Sequence, residues 1–137
     1  MKKTLALAET VCWATSIVVT YVLMALSSGW KTWVSPIMLW ACAPYFVLGT
    51  AAFMLRRSYP DNRSIPVASF VTSLLVLGFT LLVYVDGCLI HTSSTSALLF
   101  LFVPVWIFIG SPVVWTVTSW ISTGLWKVRK KRTEPAA

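Results

Sequence analysis

The chain is short of charge. Of its 137 residues, 11% are charged and 58% are hydrophobic, with a mean hydropathy of +0.80. A soluble domain of this size carries about a quarter charged residues. A water-facing surface is therefore excluded for most of the chain, and lipid is the expected solvent. Acid is scarcer still: there are four acidic residues and one histidine. No Ser/His/Asp arrangement has a second supporting acid nearby, and one histidine cannot hold haem from both sides in a monomer. No H-E-x-x-H and no phosphate-cradling glycine loop occurs, so no enzyme activity and no cofactor is expected. Three cysteines, Cys12, Cys42 and Cys88, form no C-x-x-C and allow at most one disulfide. They read as small packing residues.

What is present is four apolar runs. Met1-Lys2-Lys3 opens the chain, and 4–26 is apolar apart from Glu9. A secretory signal peptide is the rival reading. The run is longer than a usual signal core, contains an acid, and is followed by no convincing small-x-small site. It reads as a first span, long enough for a ~30 Å hydrocarbon layer. Ala8, Cys12, Ser16 and Thr20 recur every fourth residue and give that span a small face, suited to close helix approach in lipid.

A connection containing Trp30, Lys31 and Trp33 follows, its tryptophans placed as interfacial anchors. Ser35-Pro36 reads as a helix start. The second span is 35–55, with Pro44 expected to kink it near Leu39 and Trp40. Arg56, Arg57 and Arg63 flank a Pro60-Asp61-Asn62 turn. Asn62-Arg63-Ser64 matches a glycosylation sequon, on the side assigned below to the cytoplasm. Pro66 opens the third span, 66–86. The fourth, 97–124, lies in a run of 30 apolar residues that Pro104, Gly110 and Pro112 are expected to bend. A basic tail, 127–137, closes the chain.

Counted by side, Lys2, Lys3, Arg56, Arg57, Arg63, Lys127, Arg129, Lys130, Lys131 and Arg132 share one face of the membrane, against Lys31 alone on the other. Ten against one is a positive-inside pattern, and it gives both termini to the cytoplasm. The expectation is one membrane domain, 1–137: an all-α, antiparallel bundle of four transmembrane helices in a bacterial inner membrane. The net charge of +7 sits at the ends of apolar runs, so it argues against nucleic acid as partner. The same arginines and lysines, from Arg56 to Arg132, are placed to touch anionic lipid headgroups.

Two stretches carry candidate function. Asp86-x-Cys88-x-x-His91 offers three metal-ligand types in the outward turn, although further ligands are missing there. The competing readings are proton handling by Asp86 and His91 and a purely structural turn. Glu9 is the sharper anomaly, because a carboxylate within a span is costly. It can pair with Arg56 or Arg57, snorkel, or act as a coupling residue.

Leu7-Ala8-Glu9 in the first of four spans resembles the small multidrug-resistance transporters. That resemblance implies that Glu9 would bind protons and cationic drugs. The glycine-rich third-span motif of that family is missing here, where only Gly78 stands. Ser35-Pro36-x-x-Leu39-Trp40-x-x-x-Pro44-Tyr45, together with Asp86-x-x-x-x-His91 and Ala97-Leu98-x-Phe100-x-Phe102-x-Pro104, is similar to small uncharacterised bacterial four-span proteins. That likeness implies the fold and no activity. The function expected is that of a non-enzymatic accessory or interaction protein, such as an immunity protein against a pore-forming toxin. Its partner would be another membrane protein or a second copy of the chain. The alternative is a small proton-coupled transporter using Glu9, or Asp86 with His91.

Overall fold

The computed structural model describes residues 2–28, 36–59, 62, 64–90 and 96–133. Ser35, the Trp30–Trp33 connection, Pro60, Asp61, Arg63 and His91 lie outside the described residues. Four α-helices occur among the described residues: α1 (Lys2–Ser28), α2 (Pro36–Ser58), α3 (Ser64–Val85) and α4 (Ser96–Thr133). Each, α3 together with the helical turn that follows it, supplies a stretch long and apolar enough to cross a membrane: Thr4–Leu26, Pro36–Ser58, Ser64–Ile90 and Leu98–Trp126.

Local chemistry sets the helix ends. Asn62 Oδ1 accepts from the backbone N–H of Ser64 at 3.0 Å and from its hydroxyl at 2.7 Å. This satisfies a donor that has no partner within the helix. Helix α3 therefore starts at Ser64, two residues ahead of Pro66, which falls in the first turn, where a missing N–H costs little. At its other end the helix does not stop at Asp86. It continues as a π-helical turn, Asp86–Ile90, where the sequence reads a turn. Gly87 is buried there, and a Cβ at that position would overlap the side chain of Leu99 on α4. The missing side chain lets α4 come in close. Helix α4 runs through the basic cluster to Thr133. Basic residues suit a helix C-terminus and are good helix formers. Its 38 residues span about 57 Å at ~1.5 Å each.

Neighbours in space are not always neighbours in sequence. The most extensive packing is between α1 and α3 and between α3 and α4; α4 also packs on α2 and α2 on α1, while α2 and α3 touch little. The helices stand in the ring order α1, α3, α4, α2. Glu9 near the start of α1 meets Arg56 at the end of α2. Trp40 near the start of α2 reaches Leu101 in the first part of α4, and Tyr84 near the end of α3 stacks on Phe100 near the start of α4. So α1 and α3 run parallel to each other and opposite to α2 and α4. All consecutive pairs are antiparallel, and the N-terminus of α1 and the C-terminus of α4 share one end.

The faces are sorted by size and polarity. Glu9, Cys12, Ser16 and Thr20 of α1 are buried, whereas Leu7, Val11, Val18 and Val22 are exposed. On α3, Ala68, Ser69, Thr72, Ser73 and Thr80 are buried, while Leu74, Leu75 and Leu82 point outward. This is the inverse of a water-soluble helix. It suits helices that approach through small residues and offer leucine and valine to lipid. Pro104 cannot donate to the carbonyl of Phe100, so the ladder of α4 opens around it. The next carbonyl, of Leu101, accepts from Trp40 Nε1–H at 3.1 Å, which fastens α2 to α4 beside the proline.

Candidate functional site

Two antiparallel helices bring position 9 against position 56. Glu9 is fully buried. Its Oε2 lies 3.1 Å from Arg56 Nη1, and its Oε1 accepts from Trp13 Nε1–H at 3.4 Å, one helical turn along. The N–H bonds of Arg56 Nη1 are not aimed at Oε2, so the contact is an ion pair rather than an aligned hydrogen bond. Arg56 is partly exposed, with 19% of its side chain accessible, so the charge reaches toward the bundle end through the arginine. Arg57 is exposed on the last turn of α2. Opposite Trp13 stands Gly49, where a Cβ would lie 3.5 Å from the indole Cγ and Cδ1. Glu9 is thus enclosed by its own cation and an indole.

Deeper in the bundle, the small face of α1 continues into a hydroxyl chain. Thr20 Oγ1 donates to Tyr45 Oη at 3.1 Å, and Tyr45 Oη lies 3.0 Å from Thr80 Oγ1. Thr80 Oγ1 in turn donates to the carbonyl of Val76 at 2.7 Å. Since the Thr80 proton is committed to Val76, Tyr45 must donate to Thr80. One ordered series of donors therefore links α1, α2 and α3. Tyr45 and Thr20 are fully buried. In a span with no water to hand, such a chain fixes helix rotation.

A third feature lies between α3 and α4. A groove of ≈520 Å³ is lined by Thr72, Leu75, Phe79, Trp106, Gly110 and Ser111, among others. The hydroxyls of Thr72 and Ser111 are buried and have no hydrogen-bond partner among the described residues. A Cβ on Gly110 would meet nothing within 4 Å, so the floor of the groove is open.

The other expected residues stand apart. Asp86 is exposed at the start of the π-helical turn, and Cys88, two residues on, is buried. His91 is outside the described residues. No group of three metal-ligand side chains occurs among the described residues. Arg56 and Arg57 end α2, and Lys127, Arg129, Lys130, Lys131 and Arg132 lie on the last turns of α4. All are at the bundle end where α1 begins and α4 finishes. Tyr45, Thr80, Thr72 and Ser111 are not singled out by the sequence reading. The available signal is the fourfold spacing of Thr72, Val76, Thr80 and Tyr84, which parallels that of Ala8 to Thr20 on α1.

No family model, curated protein or solved structure matches the chain.

Proposed function

We propose that the chain is a non-enzymatic accessory protein of a bacterial inner membrane, with both termini in the cytoplasm, acting by lateral association with another membrane protein. Immunity to a pore-forming toxin is one concrete form of that role. The ten-to-one placement of lysine and arginine supports the orientation.

The α3–α4 groove carries the association. Thr72 and Ser111 line an apolar trough with an open floor, their hydroxyls buried beneath its surface. A partner helix packing against the apolar walls can approach closely over Gly110. The rival reading, proton-coupled transport, in its Glu9 form needs a carboxylate that trades protons with water. Glu9 is instead closed off by Arg56 and Trp13. The class of role also rests on analogy with small multi-span proteins that have no soluble domain.

A photo-crosslinking residue at Gly110 is expected to yield one protein adduct of discrete mass in native membranes. The same residue at Leu82, which is 74% exposed, should yield none. Val114→Trp, which crowds the groove, should reduce the adduct about tenfold, equivalent to ~1.4 kcal/mol of binding. Equal labelling at both positions would sink the proposal. So would a proton-dependent flux in vesicles that Glu9→Gln abolishes. An adduct of twice the chain's own mass would make the partner a second copy and remove the immunity form.

A further inference from the structure

The opposite side of the bundle, between α1 and α2, carries a second feature that the association reading does not use. Two depressions lie along this seam. The one nearer the bundle end is ≈580 Å³ and is lined by Ala6, Leu7, Thr10, Phe53, Arg56 and Arg57. The one further in is ≈360 Å³ and includes Thr10, Phe46, Gly49, Phe53 and Arg56. They share Thr10, Phe53 and Arg56, so they form one continuous cleft.

The cleft is polarised along its length. Its mouth holds two guanidinium groups, and its inner reach is apolar and aromatic. Glu9 offsets Arg56 at 3.1 Å, while Arg57 is exposed and unmatched by any acidic side chain lining the cleft. The mouth therefore keeps one positive charge. From Arg56 to Phe46 is ten residues of α2, or about 15 Å at ~1.5 Å per residue. That is half of a ~30 Å hydrocarbon layer, the depth of one leaflet. Gly49 forms the floor, where a larger side chain would fill the trough.

A single charge at headgroup level above an apolar trough one leaflet deep matches one class of molecule. We infer that the α1–α2 cleft binds one anionic phospholipid, its phosphate on Arg57 and Arg56 and an acyl chain laid over Gly49 between Phe46 and Phe53. This goes beyond general attraction of the basic end to a charged surface, because it specifies one molecule per chain in a shaped cleft. It rests on the membrane-spanning part of the proposal above and not on the association with a partner.

The test uses the full chain in detergent micelles doped with equal amounts of phosphatidylglycerol and phosphatidylcholine, read by native mass spectrometry. The chain is expected to retain one phosphatidylglycerol in preference to phosphatidylcholine by about fivefold, the worth of one basic residue near a lipid surface. Arg57→Gln should erase that preference, and Gly49→Phe should release both lipids. Millimolar inorganic phosphate should displace neither. Circular dichroism checks that each variant keeps its helices. Where Gly49→Phe fails to fold, the exposed Arg57→Gln decides. Retention without headgroup preference, a preference that survives Arg57→Gln, or displacement by inorganic phosphate would overturn the site. If the site falls while the termini still map to one face of the membrane, only the lipid assignment is lost.

Discussion

Arg56→Met is expected to destabilise the bundle by about 3 kcal/mol, the lower end of what breaking a buried ion pair costs. The reason is asymmetry. Methionine leaves Glu9, which is fully buried, without its cation and with only the Trp13 N–H as partner. Glu9→Gln leaves Arg56, which keeps 19% of its side chain accessible and can turn its charge toward the bundle end. The glutamine variant should therefore lose much less, and the double variant should resemble it rather than the sum of the two. Equilibrium unfolding in mixed micelles, titrated with a denaturing detergent, measures all three. Equal losses for the two single variants would show that the pair is not buried as described.

The second large effect is expected at Tyr45, which is almost fully buried and touches α1 and α3 through one oxygen. Tyr45→Ala should cost about 3–5 kcal/mol, as for other large aromatics removed from a packed interior. Tyr45→Phe keeps the ring and removes only the middle of the donor series. Its cost should be about 1 kcal/mol, within the range found for interhelical hydrogen bonds in membranes. The same unfolding assay separates the two contributions. If Tyr45→Phe cost as much as Tyr45→Ala, hydrogen bonding rather than packing would dominate the centre. No loss at all would mean that the hydroxyl chain is not formed.

Four helices are legible in the sequence because lipid imposes a simple length and composition rule, and four runs meet it. Their lateral order is not. A span that is apolar all round gives no amphipathic phase to read, so nothing in hydropathy places α1 beside α3 rather than opposite it. The small face from Ala8 to Thr20 is visible at fourfold spacing, and Thr72, Val76, Thr80 and Tyr84 repeat that spacing on α3, but spacing alone does not say that the two faces meet. Glu9 illustrates the same limit. Sequence narrows its partner to Arg56 or Arg57, and only the rotation of α2 chooses Arg56. Tyr45 sits next to Pro44 in an apolar run and looks like one more packing residue until Thr20 and Thr80 arrive from two other helices.

The stretch 86–90 shows local chemistry overruled. Asp86-Gly87 is strong turn chemistry, yet the backbone stays helical in π form through Ile90. Close packing of α4 on Gly87 supplies what the local sequence does not. π-helical turns often mark functional positions, and Asp86 stands at the first residue of this one. Its exposure, and the burial of Cys88 two residues later, are the features any assay of this end should begin from.

The central claim is that a membrane bathes these four helices, with both chain ends on the cytoplasmic side. The direct measurement is protease accessibility, in intact cells, of a tag fused after Ala137 and of a second tag inserted at Ser94. The account expects the terminal tag to be protected and the Ser94 tag to be cleaved once the outer barrier is permeabilised. A terminal tag cleaved from outside, or a chain that stays monodisperse without detergent, would contradict it.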